Sequence, residues 1–273
     1  MPASSAPRVL RSWTPSHYMK FGAQRLRPAL DLLQAIQLPS TASDVVDLGC
    51  GPGNLTPFLR ERWPDATIQC VDASQSMLTS AKESHVAQGL DNVEYVQGNF
   101  ESFHSDAPID VIYSNAALHW VSFDVHRTLL PRLLSFLKPG GVLAFQMPDT
   151  RQQPSHVLMG EAAKHVGFDV SKVRWVTTDV NADAYYNLLR PLASEVHLWS
   201  TEYVYQLAGG EGVHPVVDFV SSSGLGPYVD ALTPSQRPVF MDTYKDLIAT
   251  AYPRLEDGTV LLPYKRFFCV VVR

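Results

Sequence analysis

The sequence predicts an α/β protein: a doubly wound, mostly parallel sheet of seven strands with helical insertions over it. Three observations predict this. Short apolar strands alternate with helix-period segments from Asp44 to Met147, and such alternation specifies a parallel sheet with helices on both faces. A glycine-rich turn, Gly49-Cys50-Gly51-Pro52-Gly53, joins the first strand to the first following helix, a place where open α/β sheets take ligands. The alternation stops after Pro148, so the later segments read as cover over the core rather than as further repeats.

The elements follow in order. Met1 to Arg11 is rich in Ser, Pro and Arg and has no apolar stretch, so it reads as a frayed end and not a secretory signal. Pro39 to Ser43 is a loop, and Asp44 to Gly49 a buried strand. Leu55, Phe58 and Leu59 recur at helical spacing after the glycine turn. Ala66 to Val71 is the second strand, ended by Asp72, and Ser74 caps a helix carrying Met77, Leu78 and Ala81. Val93 to Val96 and Ile109 to Tyr113 are the third and fourth strands. Leu129, Leu130, Leu133, Leu134 and Leu137 line one helix face, which Pro139-Gly140-Gly141 stops. Pro131 inside that run predicts a kink or a late helix start. Val142 to Met147 is the fifth strand.

Beyond it, Gln152 to Asn181 is helical in part, and Glu195 to Tyr205 alternates like a pair of strands. Pro215 to Ser223 and Pro234 to Tyr252 are helical, and Phe267 to Val272 is a last strand. The pattern is Rossmann-like. It divides into a lid segment (1–40), a ligand-binding core (41–148), cover insertions with intervening strands (149–262) and a final core strand (263–273).

Composition removes several function classes. The 273 residues are 45% hydrophobic and 18% charged, ordinary for a globular chain. The net charge is -5 with no Lys/Arg run, which argues against a nucleic-acid partner. No apolar stretch approaches the ~20 residues of a membrane span. Cys50, Cys70 and Cys269 are scattered. They fit free thiols in a reducing, cytoplasmic setting, with no metal site. Oligomeric state is not legible.

The glycines form Gly-x-Gly-x-Gly, not the dinucleotide pattern Gly-x-Gly-x-x-Gly. Pro52 removes one backbone donor that a pyrophosphate would use. Such a turn suits a zwitterionic amino-acid tail. Asp72 lies 72 − 49 = 23 residues after the first glycine. An acid at roughly 20 residues' spacing is placed to accept hydrogen bonds from ribose hydroxyls, and it also suits capping of the next helix. Asn99 and Phe100 follow the third strand: an amide can pair with an adenine edge and an aromatic can stack on its face, or both simply make a turn. Ser114-Asn115-Ala116-Ala117-Leu118-His119-Trp120 follows the fourth strand, and its small residues permit close approach of a ligand. All four segments sit at carboxyl ends of strands.

These residues resemble class I methyltransferases. Asp47-Leu48-Gly49-Cys50-Gly51-Pro52-Gly53-Asn54 is similar to their first motif, and Asp72 to their ribose-binding acid. The resemblance extends to trans-aconitate methyltransferases. It is carried by Trp13 to Phe21 with Arg25 to Ala29, by Gln146 to Asp149 with Pro154 to Met159, and by Tyr185 to Leu189, Trp199 and Leu261 to Phe268. It implies S-adenosylmethionine as cofactor and methyl-ester formation on trans-aconitate or a related carboxylic acid. The chain departs from the family pattern at Ser200 and Gly226, where arginines stand, and at His119, often Gln. Two absent cations bear on the substrate, not on the cofactor.

The resemblance further implies a cofactor set in three groups. Asp47, Gly49, Cys50, Gly51 and Asn54 come from the turn. Asp72, Ala73, Met77, Asn99 and Phe100 come from the next two strand ends, and Asn115, Ala116 and Trp120 from the fourth. Tyr18 and Arg27 would join from the lid, or serve as helix packing and a solvated helix end. For the substrate the candidates are His119, Gln146, His156 and Arg266. Carboxylates are ionised at neutral pH, so no general base is required and no catalytic acid–base residue is assigned. Methylation of a hydroxyl or amine would need one, and His119 is the candidate. A third reading is a non-catalytic protein that binds the cofactor alone.

Overall fold

A computed structural model describes residues 22–38, 41–173, 182–209, 212–221 and 223–273. The core runs α1 (Gly22–Gln34), β1 (Asp44–Leu48), α2 (Thr56–Arg62), β2 (Thr67–Asp72), α3 (Gln75–Ala87), β3 (Val93–Gln97), β4 (Ile109–Asn115), α4 (Phe123–Ser135) and β5 (Leu137–Pro148). Then follow α5 (Pro154–His165), α6 (Ala182–Leu189), β6 (Glu195–Leu207), α7 (Pro215–Ser221), α8 (Gly226–Ala231), α9 (Gln236–Ala251) and β7 (Val260–Val272).

The sheet has seven strands in the order β3-β2-β1-β4-β5-β7-β6. Strands β1 to β5 are parallel, and β7 is antiparallel to both β5 and β6. Strand order reverses beside β1, which has β2 on one flank and β4 on the other. The crevice at that switch point is the ligand position expected of such sheets.

Each face buries its own apolar layer. Leu32, Leu59, Trp63, Ile68, Val111 and Phe268 pack on one face, where α1 lies. Ile112, Leu130, Leu133, Phe145 and Val271 pack on the other, against α4. A third cluster, with Met159, Phe219, Phe240, Tyr244 and Leu262, joins α5, α7 and α9 to the far ends of β6 and β7. The cover thus has a core of its own, which is why it needs no βα repeat.

Several local expectations are revised. Glu195–Leu207 is one long strand, not a pair, paired along its whole length with β7. Strand β7 begins at Val260, because the 260–265 stretch pairs with β6 beyond the reach of β5. Helix α4 starts at Phe123, where Ser122 caps it by accepting from the Val125 N–H, and it runs through Pro131 without a late start. Leu137 belongs to β5, not to the helix face. Pro139-Gly140-Gly141 fall where the β4–β5 register jumps from Ile109↔Leu137 to Val111↔Val142. Helix α1 likewise continues through Pro28. Helices α6 and α8, of eight and six residues, were not predicted.

Candidate active site

The glycine turn leaves β1 with Gly49, Gly51 and Gly53 all in the left-handed region, φ +82°, +56° and +73°. Only glycine adopts such angles without strain. The three differ in what surrounds them. A Cβ on Gly49 would stand 2.3 Å from the Ala117 Cβ, and one on Gly53 2.5 Å from His85 Nε2. Among the described residues, a Cβ on Gly51 would meet nothing within 4 Å. Gly49 and Gly53 therefore permit protein packing, and Gly51 faces open space. Cys50 serves the turn itself: its N–H donates to the Val71 carbonyl, its carbonyl accepts from Gly53, and its thiol is buried. Asn54, half-buried, leads into α2.

Two carboxylates flank the open position. Asp72 ends β2, and its oxygens accept from the N–H groups of Gly51 at 2.9 Å and Ser74 at 2.8 Å. It thus joins turn to helix, as its capping role required, with lone pairs left over. Burial raises its pKa, opposed by those backbone donors. Asp47 is buried, and its Oδ2 has no hydrogen-bond partner among the described residues. Burial first, then the charge of Asp72, pushes its pKa up to about 7.

The end of β4 closes the other side. Ala116 has φ +49°, an uncommon backbone for a residue with a Cβ. Its N–H donates to the Gln146 carbonyl. Ala117 makes room for Gly49, so its smallness serves the turn rather than a ligand. The 3₁₀ turn Leu118–Trp120 follows, with His119 nearly buried and its ring 5.0 Å from that of Trp120. Phe100 lies beneath Gly49. Asn99 Oδ1 accepts from the Ser102 N–H at 2.7 Å, so its carbonyl makes the local turn. Ala73 and the buried Met77 sit at the start of the segment after β2.

Next to this, on the α1 face of the sheet, lies a buried cationic cluster. Arg266 is 4% exposed. It donates to Gln146 Oε1 at 3.5 Å and Tyr205 OH at 3.4 Å and stands 4.8 Å over the Tyr264 ring. Gln146 in turn donates to Asn115 Oδ1. His156 is buried with Nδ1 3.0 Å from Ser155 Oγ. Burial, then the Arg266 charge, lowers its pKa to about 4, so it is neutral. Arg25 of α1, 8% exposed, lies 5.4 Å over the Phe219 ring, which contacts Tyr264 edge-on. Two guanidinium groups and a set of hydroxyls and amides therefore converge near the ends of β4 and β5.

The structure brings Asn115, Gln146, His156 and Arg266 together, and it groups Asp47, Asp72 and the glycines. It does not bring Arg27, whose side chain is 73% exposed and paired with Asp31 at 2.8 Å. The inward arginine is Arg25, which sequence reasoning passed over. Tyr205 and Tyr264 were also missed. Tyr18 lies outside the described residues.

Comparisons with known proteins agree with this geometry. A family model described as a methyltransferase domain matches residues 45–141. The trans-aconitate 2-methyltransferase of Azoarcus sp. (strain BH72) is 41% identical over 262 residues, covering 96% of this chain and 99% of its own. That of Paracidovorax citrulli is 42% identical over 272 residues, covering 97% and 99%. Among solved structures, a Haemonchus contortus phosphoethanolamine N-methyltransferase in complex with S-adenosyl-L-methionine superposes with a TM-score of 0.57 at 14% identity, covering 94% of this chain and 56% of that one. A coclaurine N-methyltransferase gives 0.53 at 14% identity, covering 91% and 72%. Likeness at that identity speaks for the fold.

Proposed function

We propose the reaction from one premise: this chain belongs to the trans-aconitate 2-methyltransferase family, and it transfers a methyl group from S-adenosylmethionine to a carboxylate oxygen of a small polycarboxylic acid such as trans-aconitate. The observation that carries the cofactor assignment is the space at Gly51, open among the described residues and flanked by Asp72 and by the Oδ2 of Asp47, which has no hydrogen-bond partner among them. A zwitterionic tail with an ammonium group supplies what Asp47 lacks. Asp72 retains lone pairs for ribose hydroxyls, and Phe100 with the Asn99 amide nitrogen suits an adenine. When bound, S-adenosylmethionine supplies an activated methyl group on a sulfonium sulfur.

The remaining work falls to the chain. Arg266 neutralises a substrate carboxylate, and burial strengthens that attraction. Tyr205 and Gln146 hold the guanidinium in place. Neutral His156 offers a hydrogen bond without adding charge, and His119 offers a further ring nitrogen. The acid already carries the nucleophilic oxygen, so no proton need be removed, and catalysis rests on positioning and exclusion of water. Segments 149–262 act as the cover that excludes it.

The setting is cytoplasmic: three buried free thiols suit a reducing compartment. The net charge of -5 suits a small-molecule substrate rather than nucleic acid. Among the described residues no helix is long and apolar enough to cross a membrane. Labelled methyl transfer against mono-, di- and tricarboxylates, with hydroxyl and amine acceptors as controls, tests the reading. Transfer to trans-aconitate that falls at least tenfold in kcat/KM for Arg266→Met supports it. Transfer confined to monocarboxylates, hydroxyls or amines refutes it.

A further inference from the structure

Two histidines outside both clusters occupy matching positions behind the site. His85 of α3 is fully buried. Its Nε2 lies 2.7 Å from the Gly53 carbonyl and its Nδ1 2.8 Å from Tyr95 OH. His126 of α4 is also fully buried. Its Nε2 lies 3.0 Å from the Leu118 carbonyl and its Nδ1 2.8 Å from Tyr185 OH. A carbonyl can only accept, so Nε2 carries the hydrogen in both rings. In a neutral ring Nδ1 then accepts from the tyrosine hydroxyl. Each arrangement runs tyrosine, histidine, carbonyl.

The carbonyls belong to the two turns that bear the site. Each also accepts from its own turn, from the Thr56 N–H at Gly53 and from the Val121 N–H at Leu118. Peptide planarity transmits that hold to the next residue. Pinning the Gly53 carbonyl fixes the peptide plane leading into Asn54, and pinning that of Leu118 fixes the plane leading into His119. Gly53 itself lies so close over the His85 ring that no larger residue fits. Tyr185 comes from α6, among the segments after Pro148. Its ring lies 5.1 Å from those of Phe123 and Phe267 and 5.9 Å from that of Phe145. The second relay therefore ties the outer segments to the turn beside the substrate.

We propose that His85 and His126 are positioning residues with separate tasks: the Tyr95–His85 relay sets the cofactor turn, and the Tyr185–His126 relay sets the His119 turn for the acid. The second task rests on the function proposed above.

The test is a crossed measurement on the full chain. Tyr95→Phe should weaken S-adenosylhomocysteine binding by calorimetry at least fivefold and leave KM for trans-aconitate within twofold. Tyr185→Phe should do the reverse. His126→Gln keeps a donor near the Nε2 position and should recover most of the KM, whereas His126→Leu should not. A merely structural role predicts both constants moving together in each variant, and that result, or no movement in either, overturns the proposal. Nitrogen-15 spectra of the wild-type histidines give a readout independent of the substrate: both rings must report the Nε2–H tautomer, and Nδ1–H in either one overturns the corresponding relay. Failure of the acid reading shows differently, as wild-type protein that binds S-adenosylhomocysteine and methylates no carboxylate.

Discussion

Asp47→Asn should make the ligand-free protein more stable while weakening its hold on the cofactor. Burial, then Asp72, raises the Asp47 pKa from 3.8 to about 7. Unfolding returns it to the solvated value, so across that window the unfolded state holds fewer protons and stability falls as pH rises. A raised folded pKa contributes its full stability below 3.8 and loses it through about 7. At about 1.4 kcal/mol per pKa unit, the carboxylate costs about 2 kcal/mol at pH 5 and about 4 kcal/mol at pH 8. Asparagine does not titrate. Whatever hydrogen bonds its amide gains or loses are the same at both pH values and cancel in the difference. Urea unfolding of both proteins should therefore show the variant's advantage growing by about 2 kcal/mol from pH 5 to pH 8. Calorimetry with S-adenosylhomocysteine should show the opposite preference. Losing one charge-assisted hydrogen bond to the ammonium group, about 1.5–3 kcal/mol, weakens binding roughly 10- to 100-fold. Stability curves that stay parallel between the two pH values would refute the burial argument, and unchanged affinity would refute the assignment of Asp47 to the cofactor.

Four further outcomes follow, three at the turn and one at the opposite end of the sheet. Gly49→Ala, with its Cβ 2.3 Å from Ala117 and φ at +82°, should lower stability by about 3 kcal/mol in urea unfolding. Gly51→Ala has space and pays only the left-handed backbone cost of about 1 kcal/mol, yet should lose most cofactor affinity by calorimetry. Asp72→Lys puts a cation where the Gly51 N–H is held and where the ribose hydroxyls are proposed to bind, and should abolish S-adenosylhomocysteine binding. At the opposite end of the sheet, Lys138 bridges Asp44 at 2.9 Å and Asp110 at 2.8 Å. Against partial burial, which pushes it up, that ammonium holds the Asp110 pKa low. Its stabilisation is present above the unfolded carboxylate pKa and lost as pH falls through the lowered one. Lys138→Met should therefore cost about 1 kcal/mol at pH 7, and the difference should shrink as pH falls through the lowered carboxylate pKa.

The sheet and its cofactor turn were legible because their signals are local. The three glycines and the acid, Gly49 to Asp72, lie within 24 residues, and each strand's periodicity lies within its own few residues. The buried cationic cluster is assembled from α1, β5, α5, β6, α7 and β7, elements up to 241 residues apart (266 − 25), and no local pattern reports such convergence. One signal was nonetheless present. Ala29, Leu32 and Leu33 of α1 are buried. Counting back four residues from Ala29 reaches Arg25, on the same stripe. Arg27 falls off it. Helical phase distinguishes the two arginines where adjacency to Pro28 did not.

The same kind of register argument bears on the two arginines that this chain lacks. Along β6 and β7, Trp199↔Phe268, Thr201↔Arg266 and Tyr203↔Tyr264 are direct cross-strand pairs, and pairs two apart share a face. Ser200 pairs with Phe267 and so lies on the opposite face, toward Tyr185. An arginine at 200 would not point among Arg266, Tyr264 and Tyr205, and its replacement by serine leaves that cluster intact. Gly226 is a different matter. It is buried two residues from Gly224, where a Cβ would stand 2.7 Å from His156 Nε2. Position 226, not 200, is therefore the one predicted to bear on the choice among polycarboxylates: Gly226→Arg should change the ratio of kcat/KM values between tricarboxylates and dicarboxylates, Ser200→Arg should not, and the reverse result would show that the acid enters from the Tyr185 face of the sheet.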